Sequence, residues 1–213
     1  PISWGVPSDD RWPGLFDQLL AEHGFIVFTV DGPASRNDRS ANAALFSHRM
    51  GTVAIDGPLA AAAWLRGQPY VDTTRLGLFG WSYGGYLTAF TVTHAPGVFH
   101  SAIAGAPPTD WRFYDSAYTE RYMGLPKADP AAYDRAAVLP AAARLASNLL
   151  VIQGGADDNV HLMNSQTLIA ALIAVGKQAD YFVVPGMRHG PSGPAQVRYV
   201  DAKMLGWWER TLR

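Results

Sequence analysis

The feature that most constrains the fold of this chain is its alternation of short apolar runs with longer helical stretches. The runs Phe25–Val30, Arg75–Phe79, Ser101–Gly105, Asn148–Gln153 and Asp180–Val184 are rich in consecutive rather than alternating apolar residues, the pattern of strands buried on both faces. Helical patterns separate them: Leu15–Ala21, Leu59–Arg66, a stretch from Tyr86 to about His94, about Pro130–Ala146, Met163–Val175 and Ala195–Leu212. Turn residues punctuate the series. Asp31-Gly32-Pro33 closes the first run, a polar loop from Ala34 to about Asn42 follows, and Gly67 and Pro69 stop the second helix. The expectation is a mostly parallel sheet with helices on both faces, whose functional residues sit at the carboxyl ends of the strands.

Composition narrows the classes. A chain of 213 residues with 48% hydrophobic and 16% charged residues buries a substantial core, and we expect one domain over residues 1–213. A formal net charge of −1 offers no electrostatic case for nucleic acid or an acidic membrane surface. With no cysteine there is neither a thiolate nucleophile nor a disulfide. No apolar run approaches the roughly 18–20 residues that span a bilayer. No charged segment leads into an apolar one as in a signal peptide, and the first residue is Pro1, so the chain reads as an internal stretch of a longer protein.

Directly after the second apolar run, Gly80-Trp81-Ser82-Tyr83-Gly84 fits G-x-S-x-G, a strand-to-helix turn with a nucleophilic serine at its tip. The spacing predicts that residues two before and two after the serine lack side chains so that strand and helix can pack closely. A serine hydroxyl needs a base that is itself held in orientation, and this turn is followed in chain order by an acid and then a histidine. Asp157 and Asp158 follow the strand ending at Gln153, one expected as the acid and the other as a helix cap. His189 follows the strand ending at Val184. His23 and His94 fall at helix ends, where an imidazolium suits the helix dipole. His48, His100 and His161 have no evident partner, and no His or carboxylate spacing suggests a metal or other cofactor.

Trp111, Phe113, Tyr114, Tyr118 and Tyr122 crowd the segment after the third strand. They read either as core and lid packing or as the wall of a flat apolar pocket. Met204, Leu205, Trp207 and Trp208 on the last helix fit core better than a face for a homodimer.

The motifs Gly80-Trp81-Ser82-Tyr83-Gly84-Gly85-Tyr86, Tyr114-Asp115-Ser116-Ala117-Tyr118-Thr119-Glu120-Arg121-Tyr122-Met123-Gly124, Gly155-Ala156-Asp157-Asp158-Asn159-Val160-His161 and His189-Gly190 resemble the catalytic domain of the prolyl oligopeptidase family, in its dipeptidyl peptidase IV branch. The resemblance covers nearly the whole chain. It implies an α/β-hydrolase fold, incomplete at its amino-terminal edge and without the family's β-propeller. It implies a peptide substrate cut after Pro or Ala, with release of amino-terminal dipeptides by the full-length parent. Ser82 would be the nucleophile, Asp157 the triad acid, His189 the base and the Tyr83 amide an oxyanion donor. Trp111, Tyr114, Tyr118 and Val160 would line the pocket, and Asn159 would hold a substrate carbonyl. Two departures stand out: Pro33-Ala34 replaces an Arg-Gly pair, and Gly57-Pro58 interrupts an expected helix. The family's second oxyanion donor, a tyrosine, would lie just before Pro1. The residues alone leave open an esterase or acyl-peptide hydrolase with the same triad, and an inactive structural fragment lacking that donor.

Overall fold

A computed structural model describes residues 14–30, 32 and 44–213. Among them, four strands form one parallel sheet in the order β1 (Gly77–Trp81), β2 (Ser101–Gly105), β3 (Asn148–Gly154) and β4 (Asp180–Val184). The helices are α1 (Leu15–Glu22), α2 (Asp56–Arg66), α3 (Tyr83–His94), α4 (Ser116–Met123), α5 (Pro130–Ala136), α6 (Met163–Ala174) and α7 (Gly193–Thr211). Short 3-10 turns cover Trp111–Phe113 and Leu139–Arg144. The expected α/β architecture is therefore present.

The consecutive apolar residues of β2 and β3 divide between two cores. Ala102, Ala104, Leu149 and Val151 pack with Tyr86 and Phe90 of α3 and with Leu168 and Leu172 of α6. Ile103, Leu150 and Ile152 face the other way, against Val200, Met204, Trp207 and Trp208 of α7 and Leu20 of α1. Successive side chains on a strand alternate faces, so an uninterrupted apolar run is what a sheet covered on both sides requires. The tryptophans of α7 are core.

Two expectations are corrected. Phe25–Val30 does not join the sheet: Ile26 is 57% exposed and Phe28 is 42% exposed, with Phe28 stacked on Trp64 at 4.9 Å. A cavity of about 750 Å³ lies between this segment and β1, lined by Phe25, Val27, Leu78 and Trp208 among others. An apolar run supplies burial, but a strand also needs a hydrogen-bonded neighbour for its peptide groups, and composition does not report on that. The expected boundary at Asp31 and Pro33, the loop 34–42 and the Pro33-Ala34 departure lie outside the described residues. Gly57-Pro58, in turn, does not interrupt α2. The helix begins at Asp56 and places Pro58 in its first turn, where a missing N–H costs nothing and the fixed φ is already helical.

Candidate active site

The turn from β1 into α3 carries Ser82 at φ 58° and ψ −119°, a backbone conformation that costs a non-glycine residue about 1–3 kcal/mol. The glycines around it do unequal work. A Cβ on Gly80 would stand 2.3 Å from the backbone of Gly84, and one on Gly85 would stand 2.2 Å from the Gly105 carbonyl oxygen of β2. A Cβ on Gly84 itself meets nothing within 4 Å. The expectation that both flanking glycines must lack side chains is thus corrected. Gly80 and Gly85 are sterically required, whereas Gly84 only presents the backbone that Gly80 approaches.

From this turn Ser82 Oγ lies 2.8 Å from His189 Nε2. On the far side of the ring, Nδ1 lies 3.0 Å from Asp157 Oδ2 and 3.3 Å from Oδ1. Because Nδ1 faces a carboxylate, it carries the proton, and Nε2 is left to accept from the serine hydroxyl. The Asp157 side chain is fully buried. Its Oδ1 accepts from the backbone amides of Asn159 (3.0 Å) and Val160 (2.9 Å), and its Oδ2 also accepts from Gln153 Nε2 at 2.9 Å.

The chain order Ser, Asp, His therefore converges from the ends of β1, β3 and β4. Gly154 allows the last two loops to touch: a Cβ there would stand 2.0 Å from the Arg188 carbonyl oxygen, and Ala156 N donates to Met187 O at 2.9 Å. Neither aspartate caps a helix, as one was expected to. Asp157 closes its own turn, while exposed Asp158 pairs with Arg188, whose hydrogen bond holds the Asp158 carboxyl below the usual carboxylate range. The two neighbours are separated by burial.

The aromatic segment folds into a wall beside the serine. Asp110, Asp115 and Asp129 each accept a backbone N–H at the start of successive helical turns, from Arg112, Tyr118 and Ala132, so three side-chain caps fix the path of an otherwise irregular stretch. Trp111 lies 5.9 Å from each of Tyr83, Tyr114 and Tyr118 and 4.8 Å from Tyr86 between ring centroids. These are separations at which aromatic pairs attract. Tyr122 continues the cluster at 5.2 Å from Tyr118. The Tyr114 hydroxyl donates to Asn159 Oδ1 at 2.7 Å, and Val160 is wholly buried behind it. Burial, followed by the neighbouring tyrosines, pushes the Tyr83 phenol well above its ordinary range. The structure thus brings Ser82, Tyr83, Asp157 and His189 together, with Trp111, Tyr114, Tyr118, Asn159 and Val160 grouped alongside.

Several side chains went unread in the sequence. Trp81, the first of the two variable letters of G-x-S-x-G, donates from Nε1 to the His189 carbonyl at 2.6 Å. Gln153 is signalled only as a polar residue ending an apolar strand. His48, without an evident partner in the sequence, bonds Asp129 at 2.9 Å. His94 ends α3 as expected, but it stacks on Phe90 at 3.7 Å, and burial pulls its pKa down, against the imidazolium the helix dipole would favour. Among the described residues no cluster of His, Asp and Glu could hold a metal ion, and no helix is long and apolar enough to cross a membrane.

Comparison with known proteins matches residues 16–213 to the prolyl oligopeptidase family. A probable dipeptidyl-aminopeptidase B of Grosmannia clavigera is 43% identical over 175 residues, covering 80% of this chain and 18% of that protein. Dipeptidyl peptidase 8 of Homo sapiens is 33% identical over 197 residues, covering 91% of this chain and 22% of the relative. The crystal structure of Porphyromonas gingivalis dipeptidyl peptidase 4 superposes with a TM-score of 0.91 at 34% identity, over 99% of this chain and 30% of that one; this match identifies the sheet and its helices as the α/β-hydrolase fold. The chain spans about a fifth of the length of these curated relatives. It belongs to the prolyl oligopeptidase family.

Proposed function

We propose that residues 1–213 form the catalytic domain of a serine peptidase that cleaves after Pro or Ala and releases amino-terminal dipeptides. The observation that carries this reading is the unbroken hydrogen-bonded line from Ser82 Oγ through His189 to buried Asp157. In it, His189 Nε2 takes the hydroxyl proton as Oγ attacks the scissile carbonyl, and later gives it to the leaving amine. Asp157 holds the ring in the required tautomer and stabilises the imidazolium. The Tyr83 amide, at the first position of α3 and without an intrahelical acceptor, donates to the oxyanion.

The wall of Tyr83, Trp111, Tyr114, Tyr118 and Val160 suits a compact, apolar side chain such as proline or alanine. Tyr114 occupies the Asn159 amide oxygen, which leaves Nδ2 to donate to the substrate carbonyl before the scissile one. Dipeptide release is supported by the names of the relatives, dipeptidyl peptidases and a probable dipeptidyl-aminopeptidase. The test is turnover by the intact protein of Gly-Pro and Ala-Ala chromogenic amides beside a simple acyl ester, with S82A as control. Fast amide turnover lost in S82A is expected. Ester turnover alone, or a fluorophosphonate that still labels S82A, would overturn the reading.

A further inference from the structure

β3 is apolar from Leu149 to Ile152 and then carries one polar side chain, Gln153, which is fully buried. A buried amide is unfavourable unless it is bonded, and the neighbours of this one decide which way it faces. Nε2 lies 2.9 Å from Asp157 Oδ2 and 3.0 Å from the Val160 carbonyl oxygen. Both are acceptors, so the NH2 group points at them; turned over, the amide would set its own oxygen against a carboxylate. The consequence is that Oε1 has no hydrogen-bond partner among the described residues. An apolar side chain of the same length would fill the strand position without an orphaned Oε1, but it would take the donor from Asp157 Oδ2 and from the Val160 carbonyl. The fold instead keeps an amide whose two N–H groups reach the buried carboxylate beside His189 and the backbone of a pocket residue.

Position on the carboxylate matters. The two backbone amides of the Asp157 turn both bind Oδ1. The oxygen nearer the imidazole is Oδ2, and there Gln153 is the second donor. Without it His189 is the one donor left on Oδ2 among the described residues, and only the two amides on Oδ1 hold the carboxylate independently of the ring. A hydrogen bond to an ionised acceptor is among the stronger kinds, which suits the amide to this task.

We infer that Gln153 is a positioning residue for catalysis: it fixes Asp157 Oδ2 against His189 and ties the Val160 backbone to the same carboxylate. The inference rests on the triad reading of Ser82, His189 and Asp157. It is tested in the intact protein by a double-mutant cycle. Q153M should lower kcat on a Gly-Pro amide by about 10- to 100-fold, with KM changed by less than about threefold. The rate of fluorophosphonate labelling, which does not need the pocket, should fall in step. In a D157N background the same substitution should cost less than about twofold, because the group it acts through has lost its charge. Equal losses in both backgrounds, or no loss in the wild-type background, would overturn the proposal. If Q153M does not accumulate as folded protein, Q153L takes its place in the cycle. Wild-type turnover by S82A would instead defeat the triad reading, so the two failures are distinguishable.

Discussion

The unequal glycines of the serine turn yield a sharp prediction. In G80A the new methyl would stand 2.3 Å from the carbonyl carbon and oxygen of Gly84, whereas ordinary contact begins near 3.4 Å. The obstacle is backbone, so it cannot rotate away, and β1 and α3 must separate by about 1 Å. Overpacking of this kind costs about 1–3 kcal/mol, and for a unit of this size each kcal/mol moves Tm by about 2–4 °C. G80A should therefore melt about 2–12 °C lower. The same displacement carries Ser82 away from His189, and a misplacement near 1 Å can cost about 100-fold in rate. G84A is the contrast. Its methyl meets nothing within 4 Å, and replacing a helical glycine by alanine stabilises by up to about 1 kcal/mol, so its Tm should rise by up to about 4 °C. Thermal unfolding followed by circular dichroism, with turnover measured on the same samples, decides the matter. If G84A is destabilised as much as G80A, the steric account of this turn is wrong.

Three further outcomes are expected. W81F removes the donor to the His189 carbonyl and should lower kcat about 10-fold while Tm falls only slightly; unchanged kcat would show that the histidine loop does not depend on this bond. D115A removes the cap that holds Tyr118 N, at about 1 kcal/mol. It should raise KM severalfold for a Gly-Pro amide with fluorophosphonate labelling unaltered, and an unchanged KM would separate Tyr118 from substrate binding. His94 bears on stability against pH. In the unfolded chain it titrates near 6.5, and in the folded chain burial lowers that value; the bond to the Phe90 carbonyl opposes the shift and the Arg144 charge adds to it. As pH falls below about 6.5 the unfolded state takes up the proton first, so stability is lost from there down to the folded-state pKa. H94Q should lose less stability than wild type between about pH 7 and pH 5, and denaturant midpoints at the two pH values measure the difference.

The sheet and the serine turn were legible because both rest on local chemistry: consecutive apolar residues for strands buried on two faces, and glycine where backbones touch. Asp157 and His189 were legible by their order after strands. Distinguishing Asp157 from Asp158 by residues alone was not possible, since adjacent aspartates differ only in burial and partners, which the tertiary fold decides. Phe25–Val30 was misread for a related reason: pairing is a property of two segments, and one segment's composition is silent about its neighbour. Pro58 was misread because a proline's effect depends on its position in a helix, and the start of α2 was placed three residues late. The partners of His48 and Trp81 lie far away in sequence, and those of Gln153, though only four and seven residues on, are reached because the turn after β3 folds back over the strand end.

Trp81 has a consequence for how such chains are recognised. In a five-letter search pattern it stands as a wildcard, open to any residue. Here that letter is a crossbeam between strand β1 and the loop holding His189, linking positions more than a hundred residues apart through one indole hydrogen. Randomising it while keeping both glycines and the serine would preserve every match to the pattern and release the histidine loop from its anchor. A sequence can satisfy the signature of a nucleophile without inheriting the support for its base.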